Sequence, residues 1–130
     1  MTQTPTPDAP TVLLVDDEAA LADSLALWLE CHYRVRVAYS GREALQRFDE
    51  SVDLVFLDHN LPGLSGESVL EELRRRVDPA SFGVVMLSAT PGDELADLPV
   101  DAVLTKPVTK RDVFDAADRF VGDAPEAKLD

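Results

Sequence analysis

The chain has 130 residues, 45% of them hydrophobic, and a formal net charge of −13. That length favours one domain with a core of its own, and the apolar content excludes wholesale disorder. The acidic balance argues against direct contact with nucleic acid or an anionic membrane, and no apolar run approaches the roughly 20 residues that span a bilayer.

The first ten residues, "MTQTPTPDAP", read as a flexible segment without a basic stretch leading into an apolar one, so no secretory signal is expected. Thr11–Val15 reads as a buried strand. A helix is expected from about Glu18 to Cys31, with Leu21, Leu25, Trp28 and Leu29 on its apolar face. Cys31 is the only cysteine, which excludes an intramolecular disulfide and fits a reducing cytoplasm; it reads as a buried helix thiol. Arg34–Ala38, "RVRVA", alternates polar and apolar residues and therefore suits a sheet edge.

Ser40 and Glu43 have the spacing of a capping box, opening a second helix that buries Ala44, Leu45 and Phe48. Leu54–Leu57 is an unbroken apolar strand. A third helix, about Gly66 to Val77, buries Val69, Leu70 and Leu73 and ends in Arg74–Arg76, which suits the helix dipole. Val84–Leu87 is the fourth strand. "PGDELADLP", bounded by Pro91 and Pro99, leaves room for a short fourth helix. Ala102–Leu104 is the fifth strand. Thr109 and Asp112 form a second capping box, and the last helix turns Val113, Phe114, Ala117, Phe120 and Val121 inward. Residues 122–130 read as a flexible tail or truncated linker, leaving one domain over 11–121.

Strands alternating with helices imply right-handed crossovers and a parallel sheet covered on both faces, with ligands beyond the carboxyl ends of the strands. The polar residues follow that rule. Asp16 and Asp17 come after the first strand, Asp58 after the third, Ser88 after the fourth and Lys106 after the fifth. Asp16 and Asp17 could also cap the first helix. If the first and third strands are neighbours, three carboxylates converge and require a cation. Hard oxygen donors without clustered nitrogen or sulfur select Mg²⁺. A lysine ammonium and a hydroxyl beside a carboxylate suit phosphoryl transfer to that carboxylate.

"LLVDDE", "VFLDHNLPGLSG", "VMLSA" and "LTKP" together resemble the receiver domain of two-component response regulators, over about Val12 to Val121. The resemblance implies a flavodoxin-like, doubly wound α/β fold: a five-stranded parallel sheet of order 2-1-3-4-5 with five helices, the fourth short. It implies that Asp58 accepts a phosphoryl group from a histidine kinase or phosphotransfer protein. Asp17, Asp58 and the Asn60 carbonyl would hold Mg²⁺ directly, with Asp16 acting mainly through water. Ser88 would follow the phosphoryl group, Lys106 would pair with it, and the Lys106–Pro107 bond would be cis. Asn60 and Thr90 would help to set the lifetime of the phosphorylated state. Output would pass to a further domain of a longer chain or to a separate effector.

His59 is expected to be a bystander and Trp28 to be core. Two features depart from the family. Val103 stands three residues before Lys106, where receivers usually carry an aromatic switch residue, so coupling from Ser88 to the outer face must run differently. Ser88 and Lys106 are 18 positions apart, shorter than usual by about one helical turn. A monomer or a non-standard dimer is therefore expected. A phosphatase of haloacid-dehalogenase type would want a second aspartate where Asn60 stands, so the chain reads as a signalling phosphoacceptor, not an enzyme. With nine Arg but only three Lys, the acidic balance suits concentrated salt. The urea midpoint is expected to keep rising as KCl is raised above ordinary ionic strength; a flat midpoint would refute this.

Overall fold

A computed structural model describes residues 9–89 and 99–121. Five parallel strands form one sheet in the order β2-β1-β3-β4-β5: β1 (Thr11–Val15), β2 (Arg34–Ala38), β3 (Leu54–Asp58), β4 (Gly83–Ser88) and β5 (Ala102–Thr105). Four α-helices are described: α1 (Ala19–Leu29), α2 (Gly41–Arg47), α3 (Gly66–Arg76) and α4 (Lys110–Val121), with a 3-10 turn at Pro79–Ser81. The short helix expected between Pro91 and Pro99 and the expected role of Thr90 lie outside the described residues, as do 1–8 and 122–130. No described helix is long and apolar enough to cross a membrane.

The apolar strands serve two cores at once, because successive side chains point to opposite faces. Leu13, Val15, Val55, Leu57, Val84 and Met86 pack with Ala44, Val69, Leu70 and Leu73 on the face covered by α2 and α3. Val12, Leu14, Leu54, Phe56, Val85 and Leu87 pack with Leu25, Leu29, Val113 and Ala117 on the face covered by α1 and α4. The alternating strand β2 does stand at an edge, and only its last residue, Ala38, is fully buried.

Helix α1 departs from expectation in detail. It stops at Leu29, and Tyr33, not Cys31, fills the space under the turn. Cys31 is exposed, because the chain has left the helix and turns there towards β2. Within α1 the small residues Ala22 and Ala26 are buried with Leu25 and Leu29, while Leu21 and Trp28 only flank the core. The Tyr33 hydroxyl donates to Asp118 Oδ1 at 3.1 Å, linking this turn to α4. Burial, with the Asp118 charge, pushes the phenol's pKa up and keeps it protonated.

The capping boxes are realised differently. At α4 both halves form: Asp112 N donates to Thr109 Oγ1 and Thr109 N donates to Asp112 Oδ2, each at 3.1 Å. At α2, Glu43 N donates to Ser40 Oγ at 3.1 Å, but the Glu43 carboxylate reaches one residue further back and accepts from Tyr39 N at 2.8 Å.

Register at the amino edge rests on a repeated device. Asp53, one residue before β3, accepts from Thr11 N of β1 at 2.9 Å. Asp101, one residue before β5, accepts from Val84 N of β4 at 2.7 Å. Each carboxylate satisfies an N–H at the start of the neighbouring strand, that of the first residue of β1 and of the second of β4, which would otherwise lack an acceptor near the core. Asp101→Ala is expected to destabilise the fold by about 1–2 kcal/mol in urea unfolding, with Asp101→Asn recovering part of the loss.

Candidate functional site

The parallel register carries the polar residues to one place. β1 and β3 are neighbours, with Val15 opposite Leu57, so each strand's next residues, Asp16 and Asp58, leave the sheet side by side. At the end of β3, Asp58 pairs with Leu87 of β4, and at the end of β4, Ser88 pairs with Thr105 of β5. The ladder extends past β5, where Lys106 N donates to Ser88 O at 2.7 Å. The Lys106–Pro107 peptide is cis.

Asp16 is fully buried, Asp58 is 3% exposed and Ser88 is 1% exposed, whereas Asp17 is exposed. One carboxylate oxygen from each of Asp16, Asp17 and Asp58 lies within 4.8 Å of the others. Asp16 Oδ1 accepts from Glu18 N at 2.9 Å, an Asx turn that leads into α1, so its backbone role accompanies its place in the cluster. Asp58 Oδ1 accepts from Asn60 N at 3.1 Å, which orients the carboxylate.

Lys106 supplies the only cation in direct contact with the cluster among the described residues. Its Nζ lies 2.9 Å from Asp16 Oδ2 and 3.4 Å from Asp58 Oδ2. Asp16 Oδ2 is buried, and the Lys106 ammonium is its one polar contact among the described residues. Burial alone would lower the lysine's pKa, but the Asp16 and Asp58 carboxylates outweigh it and hold the ammonium above its ordinary value. Asp58 is pushed up to about 6, chiefly by burial; the Asn60 N–H and Lys106 oppose the shift, while the Asp16 charge adds to it.

Three ionised carboxylates against a single lysine leave two negative charges in excess. Their oxygens can hold a divalent cation, and all three are hard ligands. Asn60 follows at the start of the β3–α3 loop, where its N–H engages Asp58. Val103 lies on β5 opposite Met86 and packs against the α2–α3 core without a ring to rotate. His59 is not within the carboxylate cluster; its Nε2 lies 3.1 Å from Glu67 Oε2 on α3.

Two supporting residues escape a reading by residue type. Gly66 brings α3 so close to β3 that a Cβ there would lie 2.5 Å from the Asp58 carbonyl oxygen and 3.0 Å from His59 Cα. Its place in "LSGE" marks a helix start, and only the packing shows the need for a bare Cα. Glu67 has no signal beyond its favourable position in a first helical turn.

The sequence matches the response regulator receiver domain family over residues 12–118. It is similar to a putative transcriptional regulator of Haloferax volcanii, 39% identical over 112 residues, covering 85% of this chain and 19% of that protein. It is similar to the sensory transduction protein RegX3 of Mycobacterium bovis, 38% identical over 110 residues, covering 80% of this chain and 47% of the relative. The chain thus spans less than half the length of these relatives. The fold is also that of the crystal structure of a CheY-like response regulator receiver domain protein from Methanospirillum hungatei JF-1. The TM-score is 0.79 and the identity 24%, covering 92% of this chain and 99% of that one.

The raised Asp58 pKa has a sign. The folded chain holds this proton more tightly than the unfolded chain, so the stabilisation is complete below the ordinary value of 3.8 and is lost as pH rises through about 6. Without divalent cations, Asp58→Asn is expected to raise unfolding stability at pH 7.5 by about 1–3 kcal/mol, a gain that disappears near pH 4. Urea unfolding of both proteins at the two pH values is the measurement.

Proposed function

The chain belongs to the response regulator receiver domain family, and on that premise we propose that Asp58 is its phosphoacceptor, charged by a histidine kinase or phosphotransfer protein. One observation carries this reading. A buried carboxylate at the end of β3 faces a lysine ammonium at 3.4 Å, and shares its surroundings with two further aspartates whose oxygens lie within 4.8 Å.

An Asp58 oxygen attacks the phosphorus of a phosphohistidine. The O–P bond forms as the P–N bond breaks, and the imidazole leaves with the electron pair and takes up a proton. Oδ1 is occupied by the Asn60 N–H, so Oδ2, on the Lys106 side, is the attacking atom. With a pKa of about 6, Asp58 is mostly ionised near neutral pH and retains basicity as a nucleophile. Lys106 then pairs with one phosphoryl oxygen, and the Ser88 hydroxyl donates to another. Asp17, Asp58 and the Asn60 carbonyl would hold Mg²⁺, with Asp16 acting mainly through water. The all-oxygen donor set and the excess negative charge of the cluster support that ion. When bound, Mg²⁺ neutralises charge on the transferring phosphoryl group.

Phosphorylation adds about −1.5 to −2 charges and favours the state with Ser88 drawn towards the phosphoryl group. Val103 offers one stiff torsion, so this shift passes through β5 without a ring changing sides. The domain assists its own loading and hydrolysis and is not a multiple-turnover phosphatase. It works in the cytoplasm as a monomer or non-standard dimer, and reports to an output domain of a longer chain or to a separate effector. Its net charge of −13 speaks against direct contact with nucleic acid.

Incubation with acetyl phosphate and Mg²⁺ is expected to add roughly 80 Da in intact mass, the increment of one phosphoryl group. Asp58→Asn is expected to gain nothing, and Lys106→Ala to gain mass more slowly. Sustained turnover of p-nitrophenyl phosphate, or labelling of Asp58→Asn, would overturn the assignment.

A further inference from the structure

The loop from Asn60 to Ser65 begins beside the carboxylate cluster and returns to it at the first turn of α3. It turns at Gly63, whose φ is 83°. Three ties close it at its base, and all involve Asp58 or His59. The Gly66 N–H donates to the His59 carbonyl at 3.2 Å. The Gly66 Cα packs against the Asp58 carbonyl, with no room for a Cβ. The His59 ring meets the Glu67 carboxylate at 3.1 Å. His59 is itself fixed from the other side, because its N–H donates to Leu87 O at 2.9 Å and prolongs the β3–β4 ladder.

We infer that Glu67 is a positioning residue for the cation-holding loop, acting through the His59 imidazole. The inference rests on the reading that Asn60 offers its carbonyl to Mg²⁺ beside Asp17 and Asp58. Asn60 is the next residue after His59, so a His59 that is free to shift moves the Asn60 peptide. Asn60 carries both the N–H on Asp58 Oδ1, in the peptide that joins it to His59, and the carbonyl assigned to the cation, in the next peptide. The two backbone ties fix the loop's height above β3. The side-chain pair resists rotation of the Asp58–His59–Asn60 segment, because the Nε2–Oε2 contact lies a full imidazole away from the backbone. A His59 side chain that is 21% exposed and a Glu67 side chain that is 53% exposed make the pair modest in strength. It also directs the imidazole onto α3, so His59 acts on the site only through the backbone.

The test is Mg²⁺ titration of the full chain by calorimetry, with the Asn60 and Asp17 amide shifts followed in parallel by NMR. Glu67→Ala and His59→Ala are each expected to weaken Mg²⁺ binding by about threefold, and the double variant no further. Glu67→Gln, which can bond either imidazole tautomer, is expected to restore wild-type affinity. Thermal midpoints should stay close together across the set. A Glu67 that served only the α3 dipole would give additive losses and no rescue by glutamine. That result, or an unchanged affinity in Glu67→Ala, overturns the inference. Asp58→Asn and Asp17→Asn separate the two claims. If wild type and both variants bind Mg²⁺ alike or not at all, the reading of the cation site fails. If only the aspartate variants lose binding, the cation site stands and Glu67 has no part in it.

Discussion

Lys106 Nζ stands 2.9 Å from Asp16 Oδ2 and 3.4 Å from Asp58 Oδ2, and this one cation offsets two carboxylates that burial would otherwise make untenable. The three groups come from three separate parts of the chain. They meet only if β1 lies beside β3, and if the chain after β5 reaches back over β4. The sheet order β2-β1-β3-β4-β5 meets both conditions. The Lys106 N–H on Ser88 O anchors the start of that return. The lysine therefore ties the last strand to the first through charge, where no ladder joins them.

The balance is incomplete by design of the residues themselves. Three carboxylates against one ammonium leave excess negative charge, and Asp58 shows it in a pKa pushed up to about 6, mainly through burial. A site of this kind is maintained by the rest of the fold. Two apolar layers clamp the strands from either face, and the aspartates before β3 and β5 satisfy N–H groups at the starts of β1 and β4. Charge accumulates at the carboxyl edge, while packing and satisfied hydrogen bonds hold the interior and the amino edge. That division is common where function requires groups that stability alone would not choose.

The strands were legible because a run such as Leu54–Leu57 or Val84–Leu87 is too short for a helix and too apolar for a loop. The edge position of β2 was legible from its alternation. The site was legible because open parallel sheets place their chemistry at the carboxyl ends of the strands, and Asp16, Asp58, Ser88 and Lys106 stand at or just past those ends. What escaped was set by neighbours far away in sequence. Cys31 carries an apolar type but falls beyond the end of α1, and Tyr33 takes the buried place. The Glu43 carboxylate fits a capping box by spacing, yet finds Tyr39 N a residue earlier. Gly66 looks like an ordinary helix start until the Asp58 carbonyl is seen where its Cβ would be.

The amino-acid sequence by itself determined the class of fold, the identity of the charged groups and the edge of the sheet at which they gather. Periodicity and residue type are local properties, and both are written in short windows of chain. Only the tertiary structure decided which oxygens face the lysine, how far burial moves the Asp58 proton, and that His59 turns onto Glu67. Those outcomes depend on distances of a few ångströms between segments that sequence separation does not specify. Electrostatic and hydrogen-bond energies change most steeply over that range.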